Sequence, residues 1–223
     1  MTVDINETTP IIESEYYGRG LRDLRARLFY LSQSGVGLVT VLVLFYLWWG
    51  KYSLFLWHPT FMVLFFVFMT QAILSLQYAT TRQEQASGIK RHQMFQAAAL
   101  LSLASGFLVI NHMKRASGQG LFKSFHGKLG LAIIVAALLA AAVGTTSLHF
   151  PQLYRSSVRA KKAQVPHRYA GYAIYVLVII NIVLGLELAF GFHDTSVGRI
   201  VYSGLAFTGL TMLGGLTPRR MRW

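Results

Sequence analysis

The chain has no cysteine, and that one absence excludes a disulfide framework, iron–sulfur ligation, thiolate zinc sites and a cysteine nucleophile. Any redox chemistry here needs a borrowed cofactor. Acids are scarce as well: eight Asp and Glu stand against 21 Lys and Arg, for a net charge of +13. Half of those acids, Asp4, Glu7, Glu13 and Glu15, fall in the first 20 of 223 residues. Charge of either sign is thin, at 13% of residues with 54% hydrophobic, where a soluble domain carries about 25% charged residues. The basic excess could suggest nucleic acid, but it lies in short segments flanking apolar runs. That is how membrane topology is encoded, so no nucleic-acid partner is expected.

Residues 1–20 are polar, without an apolar run or a cleavage-site pattern, and read as a flexible cytoplasmic tail rather than a signal peptide. Residues 21–223 then form the membrane domain. Six apolar stretches lie at about 29–50, 54–78, 92–112, 124–148, 167–190 and 197–217, each close to the ~20 residues that cross a ~30 Å hydrocarbon core. Only helices do this without a closed barrel, because every backbone group must pair internally. Runs such as Ala97–Leu103 and Leu129–Val143 suit helices, not period-2 strands. The fold class expected is all-α, a six-transmembrane-helix bundle.

Orientation follows from the basic residues. Fifteen lie on one side: Arg19, Arg22, Arg25, Arg27, then Arg82, Lys90, Arg91, then Arg155, Arg159, Lys161, Lys162, Arg168, and finally Arg219, Arg220, Arg222. Six lie on the other: Lys51, Lys114, Arg115, Lys123, Lys128 and Arg199. The positive-inside bias places both termini in the cytoplasm. The sequon Asn6-Glu7-Thr8 then never meets the glycosylation machinery.

Four of the seven histidines, His58, His92, His126 and His167, fall near the starts of spans two, three, four and five. Consecutive spans alternate direction. His58 and His126 therefore lie toward the non-cytoplasmic face, and His92 and His167 toward the cytoplasmic face. The spacings are 34, 34 and 41 residues, so one helix plus one loop repeats. Gly130 and Gly171 follow two of the histidines at i+4, on the same helix face, leaving room for a flat porphyrin edge. Haem iron takes axial side-chain ligands, and bundles build such sites from facing helices. Two b-type haems between helices two to five are expected, His58 and His126 holding the outer iron and His92 and His167 the inner. Two imidazoles saturate an iron and favour electron transfer over oxygen chemistry.

Zinc would want carboxylate or further histidine partners at the same depth, and Glu187 lies twenty residues from His167. A respiratory cytochrome b core, with two histidines on each of two helices, fits poorly. His149 reads as an interfacial anchor and His193, beside Asp194, as solvated. His112 lies in the donor-rich Asn111-His112-Met113-Lys114-Arg115, which reads equally as an anion site or a solvated helix end. Lys90 and Arg91 approach His92, and Arg155, Arg159, Lys161 and Lys162 approach His167. They serve as topology and anionic-lipid contacts, or as an electropositive mouth for a small anionic reductant.

The chain resembles the cytochrome b561 family, and especially its short animal branch of cytochrome b561 domain-containing proteins. The resemblance runs from about residue 28 to the C-terminus. It is carried by Leu54-Phe55-Leu56-Trp57-His58-Pro59, by Lys90-Arg91-His92 with Gln96, by Ser124-Phe125-His126-Gly127 with Leu129-Gly130, and by Pro166-His167 with Gly171. It implies oxidation of cytoplasmic ascorbate and reduction of monodehydroascorbate or ferric iron (Fe3+) on the opposite side. It implies the same haem ligand pairs, an ascorbate site at Lys90, Arg91 and Arg159, and an outer site at His112. It also implies an endomembrane location, endoplasmic reticulum or vesicles, and leaves room for a homodimer in the lipid bilayer. The rival reading is a non-enzymatic haem-binding or lipid-contacting membrane adaptor.

Overall fold

The structure, a computed structural model, describes residues 19–79 and 81–215, with side chains from residue 23 onward. Residues 1–18 of the expected tail, with the sequon, and the terminal Arg219, Arg220 and Arg222 lie outside the described residues, while Arg19 and Gly20 already belong to the first helix. Six helices carry the chain: α1 (Arg19–Trp48), α2 (Trp57–Gln77), α3 (Arg82–Ala116), α4 (Phe125–His149), α5 (Ser157–Phe190) and α6 (Ser196–Gly214). Short 3-10 turns at Leu54–Leu56, Pro151–Tyr154 and Phe192–Asp194 tighten three of the connections.

Five of the helices, α1 to α5, are long and apolar enough to cross a membrane. The sixth expected span falls on α6, whose 19 residues reach about 28 Å at about 1.5 Å each. Eight of those residues are Gly, Ser or Thr, and Arg199 sits in the first turn, so its apolar character is weaker. The small residues serve close packing instead. Ser32 of α1 donates to Thr211 of α6 at 2.9 Å, and a Cβ at Gly35 would sit 2.3 Å from the Thr208 hydroxyl.

Three helices begin ten residues earlier than their apolar stretches. α1 starts at Arg19, not 29, α3 at Arg82, not 92, and α5 at Ser157, not 167. For α3 and α5 the cause is capping. Thr81 accepts from the Glu84 amide at 3.1 Å, and Glu84 accepts in return from the Thr81 amide at 3.3 Å. Ser156 accepts from the Arg159 amide at 3.2 Å. The turns that follow are helical but polar, so hydropathy passes over them. As a result His92 and His167 lie well inside their helices, while His58 and His126 sit one residue from the starts of α2 and α4. Lys90, Arg91, Arg159, Lys161 and Lys162 are helical, not loop, residues.

The helices pack as antiparallel partners: α2 with α3, α4 with α5, and α1 with α6. Between the first two hairpins, Phe66 of α2 stacks on Tyr175 of α5, centroids 5.7 Å apart and planes at 19°. Thr70 donates to the Phe66 carbonyl at 2.7 Å. Its hydroxyl proton is therefore committed, and Tyr175 donates to it at 2.9 Å. Facing outward, Val135, Leu138 and Leu139 of α4 are half or more exposed, as expected of a helix solvated by lipid.

Candidate functional site

The four histidines meet as two pairs. His58 of α2 and His126 of α4 have ring centroids 6.2 Å apart and planes at 82°. His92 of α3 and His167 of α5 repeat both values, 6.2 Å and 82°. In each pair the partners come from different hairpins.

Every one of these rings is fixed by its own hairpin. Nδ1 of His58 donates to the Gly106 carbonyl at 2.9 Å, and that of His92 to the Ala72 carbonyl at 2.9 Å. Nδ1 of His126 donates to the Asn181 carbonyl at 3.0 Å, and that of His167 to the Ala140 carbonyl at 2.8 Å. A carbonyl can only accept, so Nδ1 carries the proton in all four. In a neutral imidazole the lone pair is then on Nε2, which is the condition a metal-ligating histidine must meet.

The register is regular. Each acceptor lies fourteen residues after the histidine of its own helix: Ala72 after His58, Gly106 after His92, Ala140 after His126 and Asn181 after His167. The α2–α3 and α4–α5 hairpins thus repeat one design. Fourteen helical residues span about 21 Å, which is the separation of the two histidine layers along the bundle.

These donors fit a haem iron. Two imidazoles on opposite sides of one metal, each bound at about 2.0–2.1 Å, place their ring centroids about 6.3 Å apart, and both pairs measure 6.2 Å. Among the described residues no three His, Asp or Glu side chains converge on a metal position. A protein-only zinc site needs three or four such ligands; a haem macrocycle supplies the remaining positions itself.

Two glycines come close to the rings from the adjacent helix. A Cβ at Gly144 of α4 would stand 2.7 Å from Cε1 of His167, and one at Gly185 of α5 would stand 2.8 Å from Cε1 of His126. Gly130 borders the outer pair, with its Cβ position 3.3 Å from the Asn181 amide nitrogen, while a Cβ at Gly171 would meet nothing within 4 Å. Around His58 and His126 lies a partly open cavity walled by apolar side chains such as Met62, Phe65, Leu103, Ile133 and Val178. Its only other polar lining residues are Lys114 and Asn181. Asn181 Oδ1 is buried with no hydrogen-bond partner among the described residues. Such a lining suits a mostly apolar ligand with a few polar groups.

The residues expected to bind substrate stand apart from the rings. Lys90, Arg159 and His112 are exposed on α3, α5 and the end of α3 respectively. Arg91, 3.4 Å from the Ser87 hydroxyl, borders a cleft of mixed character that it shares with Phe29, Gln71, Ser75, Glu84 and Phe95. No hydrogen bond or ion pair among the described residues links these four. His149 does more than anchor: the Gln93 amide donates to its Nε2 at 2.5 Å, joining the end of α4 to the residue after His92. His193 is held at the α5–α6 turn by Glu187, which also accepts from Tyr202 at 3.0 Å, and by Asp194 at 3.2 Å.

A bundle of membrane-length helices that clamps two layers of imidazole pairs is the architecture of a haem-carrying membrane protein. The eukaryotic cytochrome b561 family model matches residues 57–192, a stretch that contains all four paired histidines. The chain is also 32% identical over 166 residues to transmembrane reductase CYB561D2 of Bos taurus, covering 72% of this chain and 73% of that protein. It is 34% identical over 142 residues to the Homo sapiens transmembrane reductase CYB561D2, covering 60% and 61%. The chain belongs to the eukaryotic cytochrome b561 family, which is haem-binding. It is an integral membrane oxidoreductase of the electron-transfer kind.

Proposed function

We propose that this chain binds two b-type haems, one per histidine pair, and moves single electrons across the membrane from ascorbate to monodehydroascorbate or Fe3+. The observation that carries this reading is the repeated pair geometry, with every Nδ1 committed to a carbonyl. The haems supply reversible one-electron chemistry when bound. The chain's residues do the rest. His92 and His167 hold the cytoplasmic site, and His58 and His126 the opposite one. The apolar wall around the outer pair excludes water. Lys90 and Arg159 attract the ascorbate anion, and His112 the acceptor. On the cytoplasmic side one ascorbate loses one electron and a proton, giving monodehydroascorbate. On the other side one Fe3+ becomes Fe2+, or one monodehydroascorbate gains an electron and a proton.

The test is reconstitution into vesicles loaded with ascorbate, with ferric or monodehydroascorbate acceptor outside. Acceptor reduction that depends on internal ascorbate is expected. Reduction that proceeds equally without it would remove the donor assignment, and none at all would favour a haem-binding adaptor. In the same vesicles, Lys90→Gln and Arg159→Gln should each raise KM for ascorbate by up to about fivefold, the reach of one exposed charge worth up to ~1 kcal/mol. Haem content should be unchanged. Unaltered ascorbate kinetics would return both residues to a topological role.

A further inference from the structure

The outer cavity has one cation. Lys114 lies in the last turn of α3 and lines the same cavity as His58 and His126. The residue is half-buried, as suits a long apolar stem that covers apolar surface while its charged head turns to a polar partner. Among the described residues no side chain is recorded pairing with it, and its main-chain carbonyl accepts from Ser117 and Gln119. Its neighbour Arg115 is different, exposed and donating to Asn111 Oδ1 at 3.0 Å. His112 is exposed also. Helix phase therefore separates the one cation that borders the cavity from the solvated donors around it.

A cation that borders an otherwise apolar cavity, with no acid beside it among the described residues, favours an anion inside that cavity. We infer that Lys114 is the counter-cation for a carboxylate held at the outer site, and specifically for a propionate of the haem bound between His58 and His126. This inference rests on the two-haem reading above. A cation at that place favours the reduced, less positive form of the site, so it raises the outer reduction potential. It thereby helps draw electrons across the bundle. The same ammonium could instead receive the carboxylate-like anion of an incoming acceptor, and the two sources give different results.

The experiment is a redox titration of the purified full-length protein, following the two absorbance components separately. The outer component is the one lost in His126→Ala. In Lys114→Gln both haems should remain, with the outer component about tenfold more oxidised at a fixed potential near its midpoint, or about 59 mV lower for a one-electron couple. Lys114→Arg should return it to the starting value, and Arg115→Gln should leave it unmoved. An outer midpoint that does not change in Lys114→Gln, with a higher KM for monodehydroascorbate, would assign the ammonium to the acceptor and overturn the inference. Loss of outer haem in the Gln and Arg variants alike would overturn it too, since charge would then not be what matters. If the Gln variant loses the haem and the Arg variant keeps it, the inference stands. A wild-type protein with no haem, or with a single component, would show before any variant is made that the two-haem reading itself fails.

Discussion

His92→Ala is expected to remove one haem and leave the other. The chain should retain a single low-spin component, and that component should no longer be reduced quickly by ascorbate. The reason is the independence of the two layers. His92 and His167 share no ligand with His58 and His126, and about 21 Å of helix separates the pairs. Loss of the His92 imidazole leaves His167 alone on its side, still held by the Ala140 carbonyl at 2.8 Å. Disturbing even a partner of a metal ligand costs about 10–100-fold in affinity, and removing the ligand itself should cost more. His126→Ala is the mirror experiment: the surviving component should be the one ascorbate reduces. His149→Ala serves as the control, and should keep both. Two intact low-spin components in His92→Ala would break the pairing.

Gly144→Ala is expected to empty the inner site by a different route, and Gly185→Ala the outer one. A single added methyl would stand 2.7 Å from the His167 ring in the first case and 2.8 Å from the His126 ring in the second. Carbon atoms in contact settle at about 3.5–4.0 Å. Each ring would have to retreat while its Nδ1 is tethered to a carbonyl of the very helix that gained the methyl. The haem at that layer should bind about 10–100-fold more weakly, the scale seen when a ligand's orientation is disturbed. General unfolding is not the competing explanation, because alanine is the better helix former by about 1 kcal/mol. The measurement is haem content per chain together with helical circular dichroism. Unaltered haem content at both layers would mean that the α4–α5 register differs from the one described.

The parts legible in the sequence were those encoded along a single helix. Apolar length gave α2, α4 and α6 within a few residues but missed the first ten residues of α1, and alternation of direction paired His58 with His126 and His92 with His167. What was not legible depends on a neighbour. The starts of α3 and α5 rest on the Thr81–Glu84 box and the Ser156 cap, both in polar sequence that hydropathy passes over. The four carbonyl tethers are main-chain groups on Ala72, Gly106, Ala140 and Asn181 and leave no mark in side-chain identity. Gly130 and Gly171 were singled out because they share a face with a histidine on its own helix. The tight approach instead comes from Gly144 and Gly185 across the hairpin, where packing sets the register. Lys114 was hidden in the donor-rich end of α3 beside His112. Two residues apart means roughly 200° around a helix, enough to put one on the cavity and the other on the surface.

The most direct test of the paired-imidazole site is a count of haem per chain in the purified full-length protein, joined to electron paramagnetic resonance of the oxidised state. Two haems per chain are expected, both low-spin, with the strongly anisotropic signal of axial imidazoles whose planes stand near the 82° seen in both pairs. A folded protein that is colourless, or that carries one haem, or whose iron is high-spin with an open axial position, would contradict it.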